Sequence, residues 1–488
     1  MKKIVISILL VSALQYAWSQ DYEDLLKFSQ SNQIGNARYS AMSGAFGSIG
    51  ANASAMSINP AGSALLRGSL FEFTPEFTLT KTENHYLGNY DRAFTGSLKI
   101  PNIGFMSGKN IKESDLFITG VSFGFSINRQ NLYNQTSNFN ARNNGSSITD
   151  DFLRLANKDL WYSDYNDLAY DSKLIFFDTV SDMYVSDYRW YDGNVVKTQY
   201  GQDQAVNLKK SGSKREYLAN FGIDFSQKVY LGANIAAESI FYTEDFKFTE
   251  IDNQQKLYYL SDFTYSKSTE LVGMGVNAKV GVIVRPVEYL RLGLAAHSPS
   301  VYSMSTTTTS TLHVNYENYE VPNKSAENIN EFDYQMLTPS KIVASLGFVY
   351  KNLAVLGVDY ESVNYSYGYL NLNSPDEAAR NQAIADNLTK TDNLKVGGEL
   401  RYGPFSFRGG FATYGNPYSK YVVDDPFIRT DVSGGVGIGN DRFYCDLAWV
   451  RSNTKQYYSL YSNYSGSEVS SRTNLKRDNL LATIGFKF

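Results

Sequence analysis

Residues 272–284 read VGMGVNAKVGVIV. Val272, Met274, Val276, Ala278, Val280, Val282 and Val284 share one parity, and Gly273, Gly275, Asn277, Lys279 and Gly281 share the other. Successive side chains of a strand point to opposite faces, so this stretch is a strand with one apolar face and one small or polar face. A membrane barrel turns the apolar face to lipid and keeps the polar one for its lumen. The same alternation returns along the chain. Phe71, Phe73, Phe77 and Leu79 alternate with Glu72, Thr74, Glu76 and Thr78. Phe117, Val121, Phe123, Phe125 and Ile127 oppose Gly120, Ser122, Gly124, Ser126 and Asn128, and the last strand carries Leu480, Ala482, Ile484, Phe486 and Phe488.

Counting such stretches gives about fourteen strands, an even number as single-chain bacterial barrels have. Connection lengths sort by end. Short turns at 227–228, 285–288, 351–352, 403–404 and 439–442 alternate with long connections at 129–214, 314–337, 370–391, 415–430 and 459–472. A barrel has short periplasmic turns and long extracellular loops; a soluble sandwich has no reason to sort its loops this way. The fold class expected is therefore all-β, a transmembrane antiparallel β-barrel of about 14 strands over residues 69–488, with its largest loop at 129–214. Composition agrees: 38 Tyr, 29 Phe and 37 Gly beside only 11 Pro suit aromatic girdles around a lumen lined by small residues.

The chain begins MKKIVISILLVSALQYAWSQ, a basic start, an apolar run too short to span a bilayer, and small residues at Ala17 and Ser19. This is a secretory signal peptide over 1–19. With a single cysteine, Cys445, an internal disulfide is excluded. The net charge of −4 gives no nucleic-acid signal.

Residues 20–68 behave differently. Within them 31–66 reads SNQIGNARYSAMSGAFGSIGANASAMSINPAGSALL, rich in Gly, Ala and Ser, with Arg38 its one charge. It has too few large apolar side chains to form a domain alone. It needs a container, and the barrel is one, so 20–68 is read as a plug in the lumen.

Catalytic and metal sites are not expected. His85, His297 and His313 are far apart, and no nucleophile–base set is visible. Parity turns His297 to the lumen, and His85 is expected in the first outer loop. The glycine run 434–439 lacks the strand-to-helix setting of a phosphate loop and is read as room for bending or for the plug. Asp424-Asp425 is read as a solvated loop tip. Residues 147–161 and 374–388 read as short amphipathic helices capping the barrel, the first with Thr149 as N-cap.

The run Gly35-Asn36-Ala37-Arg38-Tyr39-Ser40, Gly44-Ala45-Phe46-Gly47 and Asn59-Pro60-Ala61-Gly62 resembles the amino-terminal hatch of the FadL/TodX family of outer-membrane channels. The resemblance implies a hatch whose seating and gating residues are Gly35, Arg38, Gly44, Gly47, Asn59, Pro60, Ala61 and Gly62. It implies passive passage of a hydrophobic small molecule, a long-chain fatty acid or an aromatic hydrocarbon, through an apolar pocket to a lateral opening at an inward kink of the third strand. Gly120 and Gly124 would allow that kink. It also implies the outer membrane of a Gram-negative bacterium, lipid contacts around the wall, no cofactor and, for this chain, a monomer. The terminal Phe488 resembles the signal read by the barrel-assembly machinery. The alternative is a binding or scaffold protein for secreted proteins or for hemin, resting on the Tyr-rich loop with Trp161, Tyr162, Tyr165, Tyr170, Tyr184, Tyr188, Trp190 and Tyr191.

Overall fold

The structure is a computed structural model that describes residues 19–111, 117–158, 160, 162–193, 195–257, 259–317, 323–375, 377–419 and 427–488. The expected signal peptide up to residue 18, Trp161 and the Asp424-Asp425 pair lie outside them.

In chain order the elements are α1 Ser19–Ser29, α2 Ala37–Ala41, β1 Gly68–Tyr86, β2 Asn89–Asn110, and β3 in two segments, Ile118–Leu132 and Gln135–Asn143. After α3 Thr149–Ala156 come β4 Gln202–Phe225, β5 Val229–Ile251 and β6 Leu260–Val287. Strand β7 comprises Leu290–His297 and Val301–Tyr316, β8 comprises Lys324–Leu337 and Lys341–Tyr350, and β9 is Ala354–Asn364. Then follow α4 Glu377–Asn387, β10 Lys390–Tyr402, β11 Phe405–Gly415, β12 Phe427–Gly439, β13 Phe443–Ser462 and β14 Glu468–Lys487. Neighbouring strands pair antiparallel, and β14 pairs back onto β1, with Phe77 opposite Leu480, closing a fourteen-stranded barrel. Closure satisfies the backbone of both end strands, which lipid could not do.

The alternation sets inside and outside as expected. Val272, Val276 and Val280 are exposed on the outer face, while Asn277 and Lys279 between them are buried inside. No helix among the described residues is long and apolar enough to cross a membrane, and the strands do the crossing.

The strands stand taller than their apolar stretches suggest. β6 runs for 28 residues, whereas roughly 9–11 suffice to cross the hydrocarbon. Much of the connections expected at 314–337 and 459–472 is therefore strand, which runs to Tyr316 and again from Lys324, and to Ser462 and again from Glu468. Backbone pairing satisfies polar sequence as well as apolar, so the ladder continues above the membrane. The first outer connection is a two-residue hairpin, Leu87-Gly88, with φ of 45° and 88°. His85 accordingly sits on β1 opposite Tyr90 and not in a loop.

The largest loop is 144–201. Its helix α3 lies as a roof across the barrel, with Phe152 and Leu153 buried among Tyr86, Phe248, Phe263 and Tyr461 from four strands. Thr149 begins this helix without capping it. Glu250 does that work instead, accepting from Ile148 N at 3.0 Å and Ser147 Oγ at 2.7 Å. Helix α4 packs against α1, with Ile384 buried beside Leu25 and Leu26.

Candidate functional site

Residues 31–66 lie inside the barrel and bond to lumen-facing side chains of many strands. Asn36 starts α2, its Oδ1 accepting from Tyr39 N at 2.8 Å. That turns Arg38 toward β10, where its Nε and Nη2 donate to the two oxygens of Glu399 at 2.8 and 3.1 Å. Arg401 and Arg408 donate to the same carboxylate at 2.7 and 2.6 Å, and Arg408 also reaches Asp446 at 2.7 Å. Glu399 is fully buried, so its charge is held by three guanidinium groups in place of water.

The turn after α2 carries Gly44. Phe46 N and Gly47 N donate to Asp359 Oδ2 at 3.0 and 2.9 Å. A Cβ on Gly47 would sit 2.1 Å from Ser345 Oγ and 3.1 Å from its Cβ, so any larger residue here would have to push Ser345 aside. Asn59 caps the 3₁₀ turn Pro60–Leu65, accepting from Ala61 N at 3.1 Å. Its Nδ2 donates to Gly47 O at 2.7 Å and to Val282 O of β6 at 3.3 Å. Ala61 packs against Tyr230 and Ile283, Gly62 lies against Gly50, and Gly35 against Ser54. Ser57 shares the carboxylate of Glu216 with Lys279, and His297 faces the lumen as expected, donating to Ile58 O at 2.8 Å. Of the eight hatch residues, Arg38, Gly47, Asn59, Pro60 and Ala61 touch the wall, while Gly35, Gly44 and Gly62 pack within 31–66.

Above this body lies a cavity of about 710 Å³. Glu23 and Lys27 of α1 line its floor, Leu132 and Tyr133 one side, and Leu155 and Tyr165 its roof, but Arg154, Lys210, Glu244 and Arg477 line it too, so it is a charged cavity and not the apolar pocket that the resemblance implies. Burial, only partly offset by Lys27 and Lys210, pushes the Glu23 carboxyl up to about 7. Burial acts against the charge of Lys27 too, but Asp24 and Glu244 outweigh it and hold the ammonium above its ordinary range.

The cavity side on β3 coincides with a break in the wall. The β2–β3 ladder stops at Asn102 opposite Asn128. A register shift against β4 follows between Arg129 and Asn131, and beyond Tyr133-Asn134 the strand pairs with β4 alone. Lumen-facing Asn84 of β1 reaches Asn138 O at 3.3 Å, which places the second segment of β3 inside the line of the wall. Among the described residues β2 reaches across only with side chains: Thr95 Oγ1 to Thr136 Oγ1 at 3.0 Å, Asn89 Nδ2 to Asn140 O at 2.8 Å, and Asp91 Oδ2 accepting from Asn140 N at 3.2 Å. Buried Arg129 is ion-paired with Glu76. Asn32 N donates to Gln130 O at 2.6 Å and Ile34 N to Arg129 O at 3.3 Å, so the start of the plug holds the kink.

This kink is not where the sequence placed it. Gly124 and Gly120 lie in the unbroken part of the β2–β3 ladder, opposite Met106 and Asn110. A register shift against β4 does fall beside Gly120, but at the start of the strand. Gly124 serves the plug: a Cβ there would meet Met56 Sδ at 2.6 Å.

No family model matches the sequence, and no curated protein matches it. Solved structures do. A FadL homologue of Pseudomonas aeruginosa superposes with a TM-score of 0.54 at 12% identity, over 93% of this chain and 98% of that one. The toluene transporter TodX of Pseudomonas putida gives 0.53 at 11%, over 93% and 98%. The CymD monoaromatic hydrocarbon channel gives 0.50 at 11%, over 94% and 99%. The chain has the fold of the FadL/TodX channels.

In this FadL/TodX-type barrel the wall is shaped to its plug, which makes a paired prediction. A Cβ on Gly232 of β5 would lie 2.3 Å from Pro60 C and 2.4 Å from Ala61 N, backbone that cannot yield. On Gly434, which faces outward, it would meet nothing closer than Arg408 O at 3.8 Å. Gly232→Leu should unseat the plug, opening Arg38 to trypsin and costing about 1–3 kcal/mol by urea unfolding in vesicles. Gly434→Leu should do neither. Equal protection of both variants would contradict this seating.

Proposed function

We propose that this protein is an outer-membrane channel for passive uptake of hydrophobic small molecules, long-chain fatty acids or aromatic hydrocarbons. The observation that carries the reading is the meeting of the cavity with the wall break, since Leu132 and Tyr133 belong to both. A molecule held above the plug would leave sideways between β2 and β3 into the bilayer, without crossing the polar lumen below. Concave sites that bury a ligand are the ordinary binding sites of proteins, and the lateral route needs no energy input. Plug residues 31–34 pair with the kink, so a shift of the plug would change the width of the route. The TodX and CymD channels, whose fold this is, carry toluene and monoaromatic hydrocarbons by name.

The scaffold reading has less support. Tyr188 of the Tyr-rich loop is buried in the roof, and Tyr165 lies under Phe152 with 4.2 Å between ring centroids. These two rings build the roof and are not available as a partner's landing surface, which leaves Tyr162 and Tyr170 exposed on the loop.

Cells with and without the gene should differ in uptake of radiolabelled oleate or toluene, with the faster uptake in cells that carry it. Identical rates for both compound classes would count against the channel.

A further inference from the structure

Around β7 to β9 the ladder is continuous in the lower part of the wall, but the tallest part of the wall is not closed there. The first segment of β8, Lys324–Leu337, pairs along its whole length with β7, from Val314 opposite Lys324 to Val301 opposite Leu337. Its other side is nearly bare. Strand β9 ends at Asn364 in the 3₁₀ turn Tyr365–Tyr367, and the chain returns only to place Tyr369–Asn371 against Gln335–Leu337. Among the described residues, no backbone of 324–334 bonds to anything but β7. Ten or so residues of strand edge thus present their remaining N–H and C=O groups, which is a template for another strand. The inner face is covered at its start, where Tyr316 donates to Ser172 O at 3.1 Å and Ala326 packs against the roof cluster, while Asn330 and Phe332 further along stay exposed.

The side chains on this edge define what fits. Glu327, Ile329, Glu331 and Asp333 share the outward parity, and all four are exposed. No cation among the described residues pairs with the three carboxylates. Two copies of this chain meeting edge to edge would set carboxylates against carboxylates, and like charges on facing strands repel. An extended segment with cations on alternate residues would instead gain main-chain bonds and three ion pairs together, the arrangement by which peptides add to sheet edges.

We infer that the edge at Lys324–Asp333 is a docking site for an extended, basic polypeptide segment of a partner protein, bound by strand addition. The occupant is a strand with Lys or Arg at alternate positions, and Ile329 offers it one apolar contact.

The test uses the full mature protein in detergent micelles and fluorescent synthetic peptides, followed by anisotropy. The probes are alternating Lys-Val, alternating Glu-Val, and the Lys-Val peptide N-methylated along one edge. The Lys-Val peptide should bind saturably and more weakly as salt is added. Loss of several main-chain hydrogen bonds should weaken the N-methylated peptide by about tenfold or more. The Glu-Val peptide should not bind, and Glu327→Gln/Glu331→Gln/Asp333→Asn, all surface changes, should abolish the preference for Lys. Equal binding of the N-methylated peptide would reduce the effect to charge attraction and overturn strand addition. Unchanged binding by the triple variant, no binding of the Lys-Val peptide, or a dimer that the peptide dissolves would each overturn the proposal.

Discussion

Glu399→Gln should destabilise the protein by about 3 kcal/mol, since removing one partner of a buried ion pair strands the others. The substitution keeps the shape and removes the charge. Arg408 retains Asp446 at 2.7 Å, but among the described residues Arg38 and Arg401 pair with no other carboxylate. Arg38 is the only charge of 31–66, so the loss should fall on the seating of the plug more than on the wall. Urea titration in lipid vesicles would give the magnitude, and trypsin cleavage at Arg38 would give the location. Arg38→Met should cost less, because the carboxylate then keeps two guanidinium partners. A larger loss for Arg38→Met than for Glu399→Gln would show that the bonds of Arg38 matter less than its packing over Phe46, 5.4 Å away.

The second large effect lies on the outside of the wall. Val280 of β6 is 57% exposed to what is lipid in the membrane, opposite Ala233 and Ala296 on its neighbours. An arginine on the lipid face near the midplane costs about 2–4 kcal/mol. Asn277, three residues earlier, faces inward and donates to Ser300 Oγ at 3.0 Å. In a variant lacking plug residues 35–61, where water fills the lumen, Asn277→Arg should therefore cost far less, of the order of 0.5 kcal/mol, as exposed polar changes do. With the plug in place Gly281 would be a poor lumen control, because a Cβ there would meet Asn59 Oδ1 of the plug at 2.0 Å. Folding stability of the two arginine variants in vesicles decides the matter, and a greater loss for Asn277→Arg would reverse inside and outside for this strand.

What could be read from the sequence is what lipid enforces. Alternation of Val and Gly in β6, or of Phe and Thr in β1, survives wherever one face must be apolar, and it carried both the strand count and the inside–outside assignment. Above the membrane that constraint lapses. The run Ser305–Ser310, STTTTS, is strand in the middle of β7, yet nothing in it alternates. The tall hairpins therefore read as loops. The hatch was legible because a segment without a core of its own needs a container, and Arg38 stands out as its one charge. The anion it pairs with was not legible, since Glu399 lies 361 residues away. The kink was misplaced for a similar reason. Glycines suggest where a strand is free to bend, but this strand bends where Glu76 and residues 32–34 pull Arg129 and Gln130 inward. Tertiary contacts of that kind leave no local mark.

The most direct test of the channel account is a lock across the β2–β3 break. Thr95 and Thr136 bring their hydroxyl oxygens within 3.0 Å on the two sides of it. The double variant Thr95→Cys/Thr136→Cys would place two sulfurs where a disulfide joins them, and Cys445, on β13, is remote from both in the strand order. Uptake of radiolabelled hydrophobic compound is then measured in cells carrying the oxidised variant and again after reduction. The account predicts that uptake is lost while the disulfide stands and returns when it is reduced. Equal uptake by the oxidised and reduced forms, with the disulfide shown to be formed, would contradict a lateral route between these strands.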